Sequence, residues 1–189
     1  MSQSELLKKT ALALARMEAP YMLTGSLASS LQGEPRSTHD IDIVVELAPS
    51  KIDALLAEFP PPEYYVDRTA MEQAIARRGM FNVIDVLQGD KVDFWILTDG
   101  DFDQSRFRRR VSIDFKGETI FVSAPEDTIL MKLKWDDDSG GGGRQFRDAL
   151  RVYELQQATL DESYLQRWIT RLQLDETWQR LLAEAKPPT

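Results

Sequence analysis

The residues best suited to chemistry lie between Tyr21 and Glu46, YMLTGSLASSLQGEPRSTHDIDIVVE. Asp40 and Asp42 alternate with Ile41, Ile43 and Val45 in a β-branched run. A strand there sets both carboxylates on one face and the three apolar side chains on the other, toward a core. Neighbouring like charges repel. A hard divalent cation, Mg²⁺ or Mn²⁺, removes the conflict, because it takes carboxylate oxygens together with substrate phosphates. Upstream, Gly25 allows close approach of backbone to a ligand. Ser26 stands where an N-cap would precede the helix-like run Leu27 to Gln32, whose first N–H groups suit an anion. Farther on, Asp93 interrupts the apolar run Lys91 to Leu97, and its burial calls for a partner or a cation. Asp85 is a second, lower-ranked acid on the preceding run. Asp40, Asp42 and Asp93 beside a Gly25-Ser26 turn suit two-metal phosphoryl transfer, in which cations bridge a triphosphate and offset charge on the attacking and leaving oxygens. The plainer reading makes Asp40 and Asp42 the solvated face of an edge strand. Either half of the pattern alone is weak; the order strand, turn, helix, loop, acid-bearing strand is fairly specific.

These residues need elements to hold them. Ser4 to Met17 has the spacing of a helix with Leu6, Leu7, Ala11, Leu14 and Ala15 on one face, and Pro20 stops it. Tyr21 to Leu23 reads as a strand leading into Gly25. Pro49 to Phe59 reads as a helix with Pro49 near its start, followed by the stiff connector Pro60-Pro61-Pro62. Thr69 to Arg78 is a further helix, with Gly79 as its C′ residue. Met80 to Leu87 and Lys91 to Leu97 form a hairpin, as do Val111 to Phe115 and Thr119 to Val122. Asp101 to Arg110 is helical, and its arginines (Arg106, Arg108, Arg109, Arg110) are either a solvated face or a phosphate or RNA contact. From Pro125 the pattern is helical: one helix from Pro125, one over Arg144 to Gln156, one capped by Asp161 to Leu172, and one capped by Asp175 to about Ala185. Asp136 to Gly143 reads as a flexible acidic loop, and the tail from Lys186 as frayed. Trp135, Trp168 and Trp178 are expected in the core. The fold class is α/β: a small mixed β-sheet flanked by helices over residues 1–124, with a C-terminal helical segment, 125–189, packed on the core.

Composition narrows the class. The chain has 189 residues, a formal net charge of −8 and no cysteine. Disulfides and thiolate metal sites are excluded, and a general nucleic-acid coat does not fit the acidity. No apolar run is long enough to span a bilayer, and the start of the chain has the pattern of an amphipathic helix, not a leader. No membrane partner is expected, and the cytoplasm is the default location.

The turn and the acids together resemble the nucleotidyltransferase superfamily of DNA polymerase β, the antibiotic nucleotidyltransferases and the minimal nucleotidyltransferases. Gly25-Ser26 matches the superfamily's turn, Asp40 and Asp42 its acid pair, and Asp93 its later acid on a separate strand. Pro125-Glu126-Asp127, Leu130, Lys132, Arg144, Arg147 and Asp148 are similar to the fourth motif of the AbiEii-type members, found among bacterial toxin–antitoxin and phage-defence proteins. The resemblance implies a nucleotidyltransferase fold. It also implies Mg²⁺-dependent transfer of a nucleoside monophosphate from an NTP to a hydroxyl of RNA (a tRNA end), a partner protein or a small molecule. Carried over, Asp40, Asp42 and Asp93 bind metal, Gly25, Ser26 and Lys132 bind the nucleotide, and Asp148 orients it or acts as a base. Read without the resemblance, Lys132 is a surface lysine, Arg147-Asp148 a helix-surface pair, and His39 a side chain pointing away from Asp40. A non-catalytic nucleotide-binding antitoxin or regulatory partner, and an antibiotic nucleotidyltransferase, are the other functional classes.

Overall fold

In a computed structural model the protein is described over residues 2–141 and 143–186; Gly142 of the expected loop and Pro187 to Thr189 of the expected frayed tail lie outside the described residues. The chain divides into two compact units, Met1–Leu27 with Thr38–Val122, and Ala28–Ser37 with Ser123–Thr189.

In chain order the elements up to Val122 are α1 (Gln3–Arg16), β1 (Tyr21–Thr24), α2 (Gly25–Gln32), β2 (Asp40–Val45), a 3₁₀ turn at Pro49–Lys51 leading into α3 (Ile52–Glu58), β3 (Tyr64–Val66), α4 (Arg68–Arg77), β4 (Met80–Asp85), β5 (Lys91–Ile96), α5 (Asp101–Arg108), β6 (Val111–Phe115) and β7 (Glu118–Val122). Among the described residues, seven strands form one mixed sheet in the order β3-β4-β5-β2-β1-β7-β6. The β2–β5 and β1–β7 pairs are parallel and the rest antiparallel.

Register explains the sheet's two faces. Tyr21 and Leu23 of β1 align with Val45 and Ile43 of β2; Ile41, Ile43 and Val45 align with Val92, Phe94 and Ile96 of β5; Phe81 and Val83 of β4 continue the row. All are buried. The Phe81 and Phe94 rings stack at 4.9 Å between centroids. α4 packs on β4 and β5, and α3 touches both α1 and α4. The alternate positions of the same strands make up the opposite face, which holds the acids. At one end that face is covered by α5, whose Phe107 clusters with Met22, Val44 and Leu97.

α1 opens with a capping box, in which Ser2 N–H donates to Glu5 Oε2 at 2.6 Å and Glu5 N–H to Ser2 Oγ at 3.4 Å. Several sequence expectations need correction. Ala15 is exposed and Ala13 takes the inward place on α1, because the helical period carries position 15 past the core stripe. Helix α4 ends in a left-handed Arg78 (φ 53°), so the turn falls one residue before Gly79. β3 was not expected. Three residues after a proline run carry too little pattern, and only pairing with Val83–Asp85 makes them a strand.

The second unit is built from α6 (Pro125–Asp138), α7 (Arg144–Gln156), a 3₁₀ turn at Gln157–Thr159, α8 (Glu162–Leu172) and α9 (Asp175–Glu184). Its core takes Ile129, Leu130 and Leu133 from α6, Phe146, Ala149 and Val152 from α7, Tyr164, Leu165, Trp168 and Ile169 from α8, and Trp178 and Leu181 from α9. Asp161 caps α8 by accepting the Tyr164 N–H at 2.9 Å. Asp175 is the first helical residue of α9, and Leu174 holds the cap position. Asp136, Asp137 and Asp138 are helical, not loop. Asp136 is buried and accepts the Gly143 N–H at 3.0 Å, which ties the glycine-rich segment back to α6. Trp135 is half-buried. No helix among the described residues is long and apolar enough to cross a membrane.

Candidate active site

Asp42 aligns with Thr24 of β1 on one side and Asp93 of β5 on the other, and Asp93 aligns with Asn82 of β4. Thr24, Asp42, Asp93 and Asn82 thus make a polar row across four adjacent strands. One row along, Asp40 aligns with Lys91. Because side chains alternate, Asp40, Asp42, Lys91 and Asp93 share a face. Gly25 follows β1 directly with φ +68°, a left-handed conformation that suits glycine. A Cβ at this position would lie 2.6 Å from Asp42 Cγ, so the turn's backbone rests against that carboxylate. α2 begins at Gly25, which places Ser26 inside its first turn and not at the N-cap. The structure therefore brings Gly25, Ser26, Asp40, Asp42 and Asp93 to one end of one sheet face.

Lys91, not singled out from the sequence, is the cation of this face. Its Nζ lies 2.8 Å from Asp93 Oδ2 and 3.5 Å from Asp40 Oδ1. The bond to Asp93 is the main reason its pKa rises above the usual lysine value, against partial desolvation. Period-two spacing from Asp93 was the available signal. Asp93 is 7% exposed, and its Oδ1 is buried without a hydrogen-bond partner among the described residues. That orphaned carboxylate oxygen, beside a second carboxylate in register, is the donor chemistry a hard cation takes. As the side chains stand, no group of three or more His, Cys, Asp or Glu among the described residues is gathered for metal binding. Lys91 spans Asp40 and Asp93 instead.

Two other sequence candidates have local roles. Asp85 Oδ1 accepts the N–H groups of Leu87 and Gln88 at 3.0 and 3.1 Å, so it closes the β4–β5 turn. His39 is exposed and lies 3.4 Å from Asp90 Oδ1, not against Asp40.

Lys132 and Asp148 also meet, in the second unit. Lys132 is only 1% exposed, unlike a surface lysine, and donates to Asp148 Oδ2 at 2.8 Å and Gln145 Oε1 at 2.7 Å. Arg36 grips the same carboxylate with Nε to Oδ1 at 3.1 Å and Nη2 to Oδ2 at 2.9 Å. Burial acts to raise the Asp148 pKa, but the bonds from Arg36 and Lys132 outweigh it and hold the group below the ordinary carboxylate value. Such a carboxylate is a poor proton acceptor. Arg36, on the loop after α2, carried no sequence signal for this contact.

Of the four arginines expected to form a basic contact, Arg108 is exposed and Arg109 half-buried, whereas Arg106 is buried, with Nε donating to Asp103 at 2.8 Å. Arg110 lies over the Phe107 ring at 4.5 Å and donates to the Phe107 carbonyl.

No protein-family model and no curated protein sequence matches the chain. Solved structures do. The fold is similar to ANT(2'')-Ia in complex with adenylyl-2''-tobramycin (TM-score 0.59, 14% identity, covering 95% of this chain and 99% of that one). It is similar to the lincosamide antibiotic adenylyltransferase LnuA, lincomycin-bound (TM-score 0.55, 13% identity, covering 82% and 98%). It is also similar to an antigenic nucleotidyltransferase-like protein from Paracoccidioides brasiliensis (TM-score 0.56, 17% identity, covering 97% and 93%). The chain has the α/β fold of these proteins.

Proposed function

We propose that this chain is a divalent-cation-dependent nucleotidyltransferase. The observation that carries the proposal is the in-register pair Asp42 and Asp93, with Gly25 backbone against Asp42 and Asp40 on the same face. An acceptor hydroxyl oxygen attacks the α-phosphorus of an NTP; the new O–P bond forms as the bond to the β-phosphate oxygen breaks, and pyrophosphate leaves. Asp40, Asp42 and Asp93 would hold Mg²⁺ or Mn²⁺, which when bound neutralises charge on the attacking and leaving oxygens. Gly25 and Ser26 support the phosphates at the start of α2, where a helix N-terminus favours an anion. The hydroxyl proton passes to Asp93 or to water. Lys132 and Asp148 bond to each other in the second unit, and the depressed Asp148 pKa disfavours a role as base.

Labelled NTPs with Mg²⁺ and total lysate test the reading. Transfer should occur, stop with a chelator and return with Mg²⁺ or Mn²⁺. Asp42→Asn or Asp93→Asn should each lower it by more than about 100-fold, beyond the 10–100-fold typical of outer-shell partners. Undiminished transfer in either variant removes the proposal. NTP binding without pyrophosphate release would instead mark a non-catalytic nucleotide-binding partner.

A small-molecule acceptor is the second element of the proposal. Two of the structural neighbours hold adenylyl-2''-tobramycin and lincomycin, and tobramycin and lincomycin are the first acceptors to try. A tRNA or protein acceptor in a toxin–antitoxin or phage-defence setting, which the fourth-motif similarity suggests, is distinguished by where the label lands.

A further inference from the structure

Trp95 is 43% exposed on a strand with neighbours on both sides, and Met80, its register partner on β4, is 41% exposed. Large apolar side chains on interior strands are ordinarily covered. Met22 and Val44 on the same face are covered, by Leu97 and Phe107. No side-chain hydrogen bond or ring contact engages the Trp95 indole among the described residues. Trp95 follows Asp93 by two positions, so it shares the acids' face about 6.6 Å along the strand.

We propose that the Trp95 indole, flanked by Met80, is the acceptor's seat: a small ring alcohol carrying protonated amines lies on the indole and turns a hydroxyl toward Asp93. The inference rests on the nucleotidyl-transfer reading and adds the acceptor class and the residue that selects it.

Position supports the acceptor over the nucleotide. Gly25 and Ser26 flank Asp42 from the β1 side, whereas Trp95 and Met80 lie on the β5 and β4 side of the acids. Strands are spaced about 4.8 Å apart, so a ring on Trp95 approaches the α-phosphorus from the side away from the phosphate turn. In-line displacement needs that arrangement. Two positions along a strand is the span of one six-membered ring and its hydroxyl. Chemistry supports the class. An indole face takes the C–H face of a saturated ring and attracts a cation. Asp40, Asp42 and Asp93 outnumber Lys91 on this face. An amine is drawn to that surplus and an RNA backbone is repelled. In the basic run, Arg106 and Arg110 are bonded internally, which leaves Arg108 as its exposed member.

The test uses the full chain with ATP, Mg²⁺ and tobramycin or lincomycin as probes, in wild type, Trp95→Ala, Trp95→Phe and Asp42→Asn. Trp95 is exposed, so the first two variants should keep the wild-type circular dichroism and unfolding midpoint. Trp95→Ala should raise the acceptor KM by about 3- to 30-fold, the range of an aromatic–cation contact, with the KM for ATP unchanged and Trp95→Phe recovering most of the loss. Probe binding without NTP, followed by calorimetry, should weaken in Trp95→Ala and recover in Trp95→Phe. An equal rise in the KM for ATP would make the indole a nucleobase platform and overturn the proposal. So would unchanged acceptor KM, failure of both probes to bind, or labelling of RNA alike in wild type and Trp95→Ala. If the probes bind through Trp95 but Asp42→Asn transfers normally, the two-metal reading fails while the acceptor seat stands.

Discussion

Gly25 and Lys91 are where single atoms decide what the acids can do. Gly25→Ala introduces a Cβ 2.6 Å from Asp42 Cγ at a φ of +68°. The left-handed conformation alone costs an L-residue about 1–2 kcal/mol. The Asp42 carboxylate must also move, so transfer should fall far more than the urea midpoint does; parallel losses of both would show that Gly25 serves only the fold. Lys91 poses the opposite case. Its ammonium bridges Asp93 and Asp40, and its raised pKa keeps it charged across the neutral range. A divalent cation entering between those carboxylates must displace it. The pair is partly exposed, where such contacts are worth about 0–1 kcal/mol. Lys91→Ala should therefore tighten Mn²⁺ binding in a titration by up to about 5-fold, since 1.4 kcal/mol is tenfold. Unchanged or weaker binding would mean that Lys91 is not a competitor at those acids.

At the scale of elements, α6, α7 and the loop after α2 are joined by Lys132, Asp148 and Arg36. Removing one member of a buried ion pair costs about 3–5 kcal/mol, because the other charge stays buried. Asp148→Ala should lose stability of that order in urea unfolding. The pH dependence follows from the sign of the shift. Folding lowers the Asp148 pKa, so its contribution is present above the unfolded value and is lost as pH falls through the folded one. The difference in stability between wild type and Asp148→Asn should be flat above about pH 5 and shrink below about pH 4, the ordinary carboxylate range; a difference that grows on acidification would refute the shift. These elements also mark what the sequence could tell. The acid face was legible because Asp40 and Asp42 alternate with Ile41 and Ile43 in β2, Asp93 stands out in an apolar β5, and Gly25 punctuates the preceding strand. Lys132 and Asp148 were legible as a motif but not as a buried pair, since their third partner comes from an irregular loop about a hundred positions away. The Asp136 to Asp138 run was misread because acids and glycines look like a loop. They end a helix instead, and Asp136 compensates for acids at the unfavourable pole by capturing the Gly143 N–H.

On the scale of the whole molecule, charge separates the two substrates. The chain carries a formal net charge of −8. An amine-bearing acceptor is attracted by that field and a magnesium–nucleotide complex, itself anionic, is repelled. Salt weakens both effects, since the screening length falls from about 30 Å at 0.01 M to about 8 Å at 0.15 M. Raising salt over that range should therefore raise the KM for tobramycin while leaving or lowering the KM for the nucleotide. The divergence, measured by pyrophosphate release with one substrate saturating, is informative because general loss of activity in salt would raise both. An RNA acceptor would also weaken as salt rises, so direct binding separates the two classes. Polyanion binding needs cationic contacts, and every phosphate neutralised makes it weaken steeply with salt. On a chain this acidic, whose Arg106 and Arg110 are held by internal partners, which leaves Arg108 as the exposed arginine of α5, no RNA retention is expected in a gel shift at 0.15 M salt. Retention there, with acceptor and nucleotide KM values rising together, would move the acceptor from a small amine to a nucleic acid.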